Sequence, residues 1–182
     1  NRRTKKIGSR KRGQIIGQPK MKIIENFLEQ NDLADIKQIV TDATFPWSLN
    51  HGVSYPGDGH VQFTHTIYRD NEFISSWKLG GLDIFINKLN ITSLVRAKFN
   101  LLPKADSIIE HDAHIDIPNP PANLKTAILY LNTNNGYTKF EDGTKVTSKE
   151  NKLIIFDAGQ KHSGTTNSCD APYRLVFNLN YF

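Results

Sequence analysis

The chain has 182 residues, 38% of them hydrophobic and 23% charged, which is enough apolar material for the core of one stable domain. No apolar run approaches the roughly 18 residues of a membrane-spanning helix, and the first residues lack the apolar stretch of a secretory signal. These patterns argue against a membrane protein and predict a soluble, cytoplasmic one. The single cysteine, Cys169, excludes an internal disulfide and fits a reducing compartment.

The formal net charge of +5 is concentrated in the first part of the sequence. Residues 1–22 hold nine Lys or Arg and no acidic residue, so the rest of the chain has 14 basic and 18 acidic residues. We predict a flexible basic arm over residues 1–20 and a single domain over residues 21–182. A solvated tail is the favoured interpretation of the arm, and an anchor for nucleic acid through residues 1–13 is the alternative.

Residues 21–93 are predicted to form a helical layer. A first strand or turn is expected from Met21, and Asn31 or Asp32 can cap the helix that follows. The apolar face of this helix would consist of Leu33, Ile36, Ile39 and Val40. A second helix is predicted from Gly81, with apolar side chains at helical spacing at Leu82, Phe85, Ile86 and Leu89.

The segment between these helices is rich in aromatic residues, glycine and histidine. Its histidines, His51, His60 and His65, are nine and five residues apart, and this spacing matches no compact metal motif. We therefore predict a lid or substrate-facing loop over residues 46–65.

From Leu94 onward, short strands alternate with turn signals such as the proline-rich residues 118–121 and Asn134-Asn-Gly136. This pattern of short strands and turns predicts a β-sandwich or barrel with the helices packed outside. The expected strands are residues 95–102, 107–111 or beyond, 126–132, 137–141, 145–147, 153–156 and 173–181.

One set of residues in this region indicates metal chemistry. Side chains two apart on a strand share a face, so His114 and Asp116 can reach the same ion, and His162 follows an apolar strand and a turn. Two imidazoles and one carboxylate bind one face of a non-haem Fe(II) and leave the other face open. A structural role is the alternative, with His114 and Asp116 on an exposed strand edge.

Arg174 is the second functional signal. It is expected to share a strand face with Val176, Asn178 and Asn180, and a buried guanidinium needs an anionic partner. That partner is either the far end of a co-substrate or, in a purely structural role, Asp157.

Residues 94–182 resemble the Fe(II)- and 2-oxoglutarate-dependent dioxygenases, in particular the prolyl-4-hydroxylase-like branch of stand-alone proteins in bacteria and their phages. The motifs that carry the likeness are His114-Ile-Asp116, residues 127–132, 136–140 and 153–157, His162-Ser-Gly164 and residues 174–177. The pattern departs from the family at Tyr137, where a second glycine is usual, and at Leu102, where an aromatic residue is frequent. Asn180 stands where the related nucleic-acid demethylases carry a second arginine.

This resemblance implies a fold and a site. The fold would be a double-stranded β-helix, a jelly-roll or cupin-like shell, with its core in residues 94–182. The metal would be held by His114, Asp116 and His162, with no catalytic residue beyond these ligands. The resemblance also implies a 2-oxoglutarate site, with the 5-carboxylate on Arg174 and near the hydroxyls of Thr126 and Tyr130, and with Asn100 toward the 1-carboxylate.

The resemblance implies an oxygenase that uses Fe(II), 2-oxoglutarate and O2, with ascorbate as an accessory reductant, in the cytoplasm of a bacterium or a phage-infected host. It would hydroxylate a C–H bond of a peptide or small molecule, with a prolyl residue as the candidate target, and release succinate and CO2. Two alternatives stand beside it: a non-catalytic cupin-like module docked through the basic arm, and a dioxygenase that oxidises nucleobases.

Overall fold

The computed structural model describes residues 21–75 and 82–182. The predicted basic arm, residues 1–20, and Gly81 lie outside these ranges. Within them, neither helix has the length and apolar character needed to cross a lipid bilayer.

The described residues form two helices and a series of mostly short strands. The helices are α1 (Gln30–Val40) and α2 (Leu82–Leu89). The strands are β1 (Met21–Ile24), β2 (Ser48–Asn50), β3 (Gln62–Arg69), β4 (Glu72–Phe73), β5 (Leu94–Pro103), β6 (Lys125–Tyr130), β7 (Tyr137–Phe140), β8 (Lys145–Thr147), β9 (Lys152–Asp157), β10 (His162–Gly164) and β11 (Tyr173–Tyr181).

These strands pair antiparallel into a large and a small sheet. The large sheet has the order β1-β9-β6-β11-β5-β3-β2, with β4 paired to β3, and the small sheet has the order β10-β7-β8. Strands that are distant in sequence are therefore neighbours in space, as in the predicted jelly-roll arrangement.

Both helices cover the outer face of the large sheet. Leu33, Ile36 and Val40 of α1 are buried as predicted, and the Phe85 ring of α2 lies 4.9 Å from that of Phe177 in β11. The first helix begins at Gln30 and has no side-chain cap. Asn31 and Asp32 thus lie inside its first turn rather than at its cap, where the Asp32 carboxylate still interacts favourably with the helix dipole.

The inner face of the large sheet faces the small sheet. A second apolar cluster fills the space between them and consists of Ile128, Tyr130, Phe140, Val146, Ile154, Phe156 and Val176. Because side chains alternate along a strand, β11 places Phe177 and Leu179 toward the helices and Val176 and Asn178 toward the small sheet. The site lies on this inner face, beside the apolar cluster.

The first part of the domain contains more β-structure than the predicted helical layer. Residues 21–93 include β1 to β4, and β3 is a full member of the large sheet beside β5. The sequence pattern missed β3 because its inward residues, Gln62 and Thr64, are buried although they are polar.

Residues 107–111, predicted as a strand, do not form one. Only isolated bridges join this segment to β10 and the residue that follows it, Glu110 to Thr165 and His114 to His162. Three residues lie between the bridged positions Glu110 and His114 but only two between His162 and Thr165, so an extra residue interrupts the ladder as in a β-bulge.

Candidate metal centre

The structure brings His114, Asp116 and His162 together between the two sheets. One ligand atom from each residue lies within 4.8 Å of the others, and no other such group of three occurs in residues 21–75 and 82–182. The backbones of His114 and His162 exchange two hydrogen bonds, of 2.9 and 3.0 Å, so their side chains lie side by side with ring centroids 5.1 Å apart. His162 lies in β10, which follows β9 and a turn, as the sequence predicted.

Both imidazoles present the nitrogen that a metal would use. The Nδ1 atoms of His114 and His162 lie 3.2 Å from the backbone oxygens of Asp112 and Gln160. A carbonyl oxygen can only accept a hydrogen bond, so each Nδ1 carries a proton, and in the neutral ring the lone pair that can bind a metal is on Nε2. The two Nε2 atoms lie 4.0 and 3.9 Å from the oxygens of Asp116. Burial also lowers the pKa of His162, which favours the neutral form that binds a metal.

Asp116 is an ionised carboxylate that Arg96 and Asn178 fix in place. Its side chain is only 6% exposed; Arg96 Nη2 lies 2.8 Å from Oδ1, and Asn178 Nδ2 donates to Oδ2 over 3.0 Å. Burial alone would raise the pKa of Asp116, but the nearby positive charges, Arg96 foremost, hold it well below its usual range. The group is therefore an anion that faces two imidazoles, and this donor set suits Fe(II).

Arg174 is a buried cation without an anionic partner. It is 4% exposed, and it donates from Nε to the Ser148 hydroxyl at 2.8 Å and from Nη2 to the Thr138 hydroxyl at 3.0 Å. Within the described ranges no carboxylate lies within 4 Å of the guanidinium, and the proposed structural partner, Asp157, pairs with Lys125 instead. A guanidinium held by two neutral hydroxyls in the interior retains its capacity to bind a carboxylate.

Gly136 makes room for the Arg174 side chain, and Gly164 lies beside its guanidinium. A Cβ at Gly136 would lie 2.8 Å from Arg174 Cδ, and one at Gly164 would lie 3.5 Å from Arg174 Nη1. Gly164 is two residues beyond His162 on β10, an advance of roughly 6.6 Å along a strand. The guanidinium of Arg174 thus lies beside the strand position two residues beyond the metal ligand His162.

A narrow cavity of about 60 Å³ connects the triad and Arg174. Asn100, Val176 and Asn178 line it together with all four residues. The Oδ1 atoms of Asn100 and Asn178 are buried and have no hydrogen-bond partner in the described structure; as acceptors they need a donor, such as a water molecule or an N–H or O–H of a substrate.

The predicted co-substrate residues differ in their placement. Asn100 lines the cavity. Tyr130 lies behind Arg174, whose guanidinium is 5.5 Å from the ring, and its hydroxyl donates to Thr138 over 2.8 Å, so it supports the site indirectly. Thr126 is at the other end of β6, opposite Asn180, whose amide donates to it over 2.9 Å. The expectation that Thr126 lies beside Arg174 is therefore wrong: the two share a sheet face but are several strand residues apart.

The loop predicted as a lid borders the site. Asp58 accepts backbone hydrogen bonds from Val53, Ser54 and His60 at 2.8–3.0 Å, which closes residues 53–60 into a compact loop. Although burial opposes ionisation, these donors hold the pKa of Asp58 well below its usual range. The loop is joined to the other rim by the Tyr55 hydroxyl, which donates to Asp112 Oδ2 over 3.0 Å.

The histidines of this segment have different surroundings. His65 lies between the Pro46 carbonyl, 3.0 Å from Nδ1, and the Ser75 hydroxyl, 2.7 Å from Nε2. His60 packs edge-on against His111, with ring centroids 4.7 Å apart. His51 lines a second cavity beside the metal centre.

Sequence reasoning missed the residues that hold the ligands in place. Arg96 and Asn178 hold Asp116, and Thr138 and Ser148 hold Arg174. Lys98 was also missed: it lines the cavity, and burial lowers its pKa to about 8, so it remains mostly protonated at neutral pH. A signal was present, because Arg96, Lys98 and Asn100 alternate with the apolar Val95, Ala97 and Phe99 along β5.

No protein-family profile matches the chain, and no curated protein sequence matches it either. Solved structures do match. An oxidoreductase of the 2OG-Fe(II) oxygenase family from Burkholderia pseudomallei is 16% identical, with a TM-score of 0.65 over 89% of this chain and 84% of that chain. The fold is that of the 2OG-Fe(II) oxygenases.

Two prolyl hydroxylases share this oxygenase fold. The enzyme from Trichoplax adhaerens, solved with a hypoxia inducible factor oxygen degradation domain peptide fragment, is 20% identical with a TM-score of 0.64, over 90% of this chain and 83% of that chain. A Pseudomonas putida prolyl-4-hydroxylase is 15% identical with a TM-score of 0.60, over 89% and 92% of the two chains. The predicted double-stranded β-helix is thereby confirmed, and function must be argued from the site itself.

Proposed function

We propose that this protein is an Fe(II)- and 2-oxoglutarate-dependent oxygenase that hydroxylates a C–H bond of an organic substrate. The observation that carries the proposal is the cavity that joins a two-histidine, one-carboxylate cluster to a buried arginine lacking an anionic partner. A purely structural shell has no need of these convergent polar groups in its interior, where burying them costs stability.

The donor set and the cavity fit the two absent groups. His114, Asp116 and His162 would hold the metal, with two neutral nitrogens and one carboxylate facing a common point. When bound, Fe(II) and 2-oxoglutarate supply the oxidising chemistry with O2, releasing succinate and CO2.

The protein's own residues position these groups. Arg174 would bind the 5-carboxylate, and the hydroxyls of Thr138 and Ser148 fix the direction of its guanidinium. Asn100 offers an amide toward the 1-carboxylate, and Asn178 and Arg96 keep Asp116 oriented. Ile128 and Val176 give the cavity an apolar wall that limits water near the reacting groups.

The substrate class follows less directly from the fold. The related fold in Trichoplax adhaerens was solved with a peptide fragment, which makes a prolyl residue of a peptide the first candidate. The proposed metal and 2-oxoglutarate sites do not depend on the identity of the substrate.

The proposal is tested by adding Fe(II) and then 2-oxoglutarate to the protein without oxygen. A weak visible charge-transfer band is expected for the wild type and none for His162→Ala. Arg174→Gln should still bind the metal but need at least about tenfold more 2-oxoglutarate, because it loses a charge-assisted bond pair. Admission of air should release succinate only where the band forms. Absence of both band and succinate would leave the non-catalytic module as the better interpretation.

A further inference from the structure

A second cavity of about 320 Å³ opens beside the metal centre, and its charged residues are all basic. It is enclosed by the loop over residues 50–56 on one side and by β3 and β5 on the other. Arg69, Arg96 and Lys98 line it, and its remaining lining residues include hydroxyl and amide groups but no carboxylate. A volume of this size accommodates a compact molecule or a single side chain.

This basic cavity is continuous with the metal cavity. Val53, Gln62 and Lys98 line both. A molecule bound in the basic cavity could therefore extend past Val53, Gln62 and Lys98 toward the metal centre.

Lys98 is the cation of this group that makes no ion pair, although the charge of Asp116 acts on it from beyond 4 Å. Arg96 is occupied by Asp116, and Arg69 lies 3.0 Å from Asp70 at the surface. In residues 21–75 and 82–182, no carboxylate lies within 4 Å of the Lys98 ammonium. A partly buried lysine without an acid is unfavourable unless something else meets its charge.

A charge count shows that the proposed Fe(II) and 2-oxoglutarate do not neutralise the charge of Lys98. Fe(II), Asp116 and Arg174 together carry two net positive charges, which the 2-oxoglutarate dianion would cancel. Because Asp116 is counted only once although it contacts both the metal position and Arg96, the whole site keeps two net positive charges, and Arg96 and Lys98 both line the cavity in which a substrate would bind. This net positive charge attracts an anion to the cavity.

We propose that the prime substrate carries an oxyanion, a carboxylate or a phosphate, that binds Lys98 in the basic cavity next to the metal centre. This inference rests on the proposed function and specifies the substrate class of the same site. The ammonium of Lys98 would bind the oxyanion and the hydroxyl and amide groups of Thr64 and Asn50 would complete its hydrogen bonds. A prolyl peptide would meet this requirement through an acidic neighbouring residue.

The test is a binding titration that needs no turnover. The protein is loaded without oxygen with Mn(II) and saturating 2-oxoglutarate, so that the Arg174 site is filled, and malonate, inorganic phosphate or neutral malonamide is then added in a calorimeter. Malonate or phosphate should bind and malonamide should not. The tighter of the two anions indicates whether the substrate group is a carboxylate or a phosphate.

Variants identify where the anion binds. Lys98→Met should weaken its binding by about tenfold or more, and Lys98→Arg should restore most of it. The matched control is Lys22→Met, because Lys22 is exposed on β1 at the opposite edge of the same sheet; it should bind like the wild type. Thermal unfolding of each variant checks that the fold is retained.

The outcomes separate this inference from the proposed function. If 2-oxoglutarate itself does not bind to the Mn(II)-loaded protein, the proposed function fails. If it binds but no second anion does, only the oxyanion inference is overturned. The inference also fails if the anion binds equally well to Lys98→Met, since the metal or another surface would then hold it.

Discussion

Gly136 is the position where a single methyl group should disturb the Arg174 site. A Cβ there would lie 2.7 Å from the Thr166 carbonyl oxygen, 2.8 Å from Arg174 Cδ and 2.9 Å from Asn134 Oδ1. Two of these neighbours cannot easily retreat: the first is backbone, and Asn134 Oδ1 accepts a 2.9 Å hydrogen bond from the Gly136 amide. Most of the strain in Gly136→Ala should therefore move the arginine.

The distances give the expected magnitude. Each contact is at least half an ångström shorter than ordinary Cβ contacts, and inserting a methyl group into packed surroundings of this kind costs about 1–3 kcal/mol. For a domain of this size that corresponds to a fall in Tm of roughly 3–10 °C. Arg174 would also lose alignment with Ser148 and Thr138, so the 2-oxoglutarate Kd should rise about tenfold, the equivalent of about 1.4 kcal/mol.

Two measurements check this prediction: thermal unfolding, and titration of the anaerobic Fe(II) protein with 2-oxoglutarate. Gly159→Ala is the matched control, because the nearest atom to its added Cβ is Pro120 Cγ at an ordinary 3.7 Å. The reasoning is refuted if Gly136→Ala matches Gly159→Ala in both Tm and 2-oxoglutarate affinity.

Three further predictions concern the surroundings of the site. Arg174→Lys keeps the charge but loses the planar fork, so 2-oxoglutarate binding should weaken about tenfold in the same titration, and unchanged binding would contradict the assigned role. Tyr55→Phe removes the bond to Asp112 and should speed hydrogen exchange in residues 53–60, while exchange in β11 stays constant. Burial lowers the pKa of His111 to about 4 from 6.5, so the folded state resists its protonation; its stabilising contribution is complete above pH 6.5 and is lost as pH falls toward 4. Between pH 7 and pH 4, the free energy of unfolding measured with denaturant should therefore fall by about 2–3 kcal/mol more in the wild type than in His111→Phe. Equal decreases in the two proteins would contradict the lowered pKa of His111.

The strands that carry apolar alternation or an apolar run could be predicted from the sequence. The runs in β5, β6, β9 and β11 have burial on one or both faces, and their predicted bounds differ from the observed ones by no more than two residues. The pattern failed where a strand turns polar residues inward, as β3 does with Gln62 and Thr64. It also failed at residues 107–111, where an extra residue interrupts the pairing.

The site residues also divide into those that the sequence predicted correctly and those that it misplaced. His114, Asp116, His162 and Arg174 could be selected because their chemistry has few alternative explanations, and the fold brings all four to one cavity. The misplacement of Thr126 shows the limit of strand parity, which gives the face of a sheet but not the distance along it. That distance depends on the register between β6 and β11, which parity alone does not fix.

The polar inner face of the large sheet lowers the stability of the fold, and the function of the site explains why it is polar. In the described residues, buried polar atoms without a hydrogen-bond partner occur on neighbouring strands of this face, at Asn100, Asn178 and Asn180. Interior groups of this kind lower stability unless a ligand meets them. In the same cavity, 2-oxoglutarate would meet the buried charge of Arg174, so loading with metal and 2-oxoglutarate should stabilise the protein more than the metal alone does.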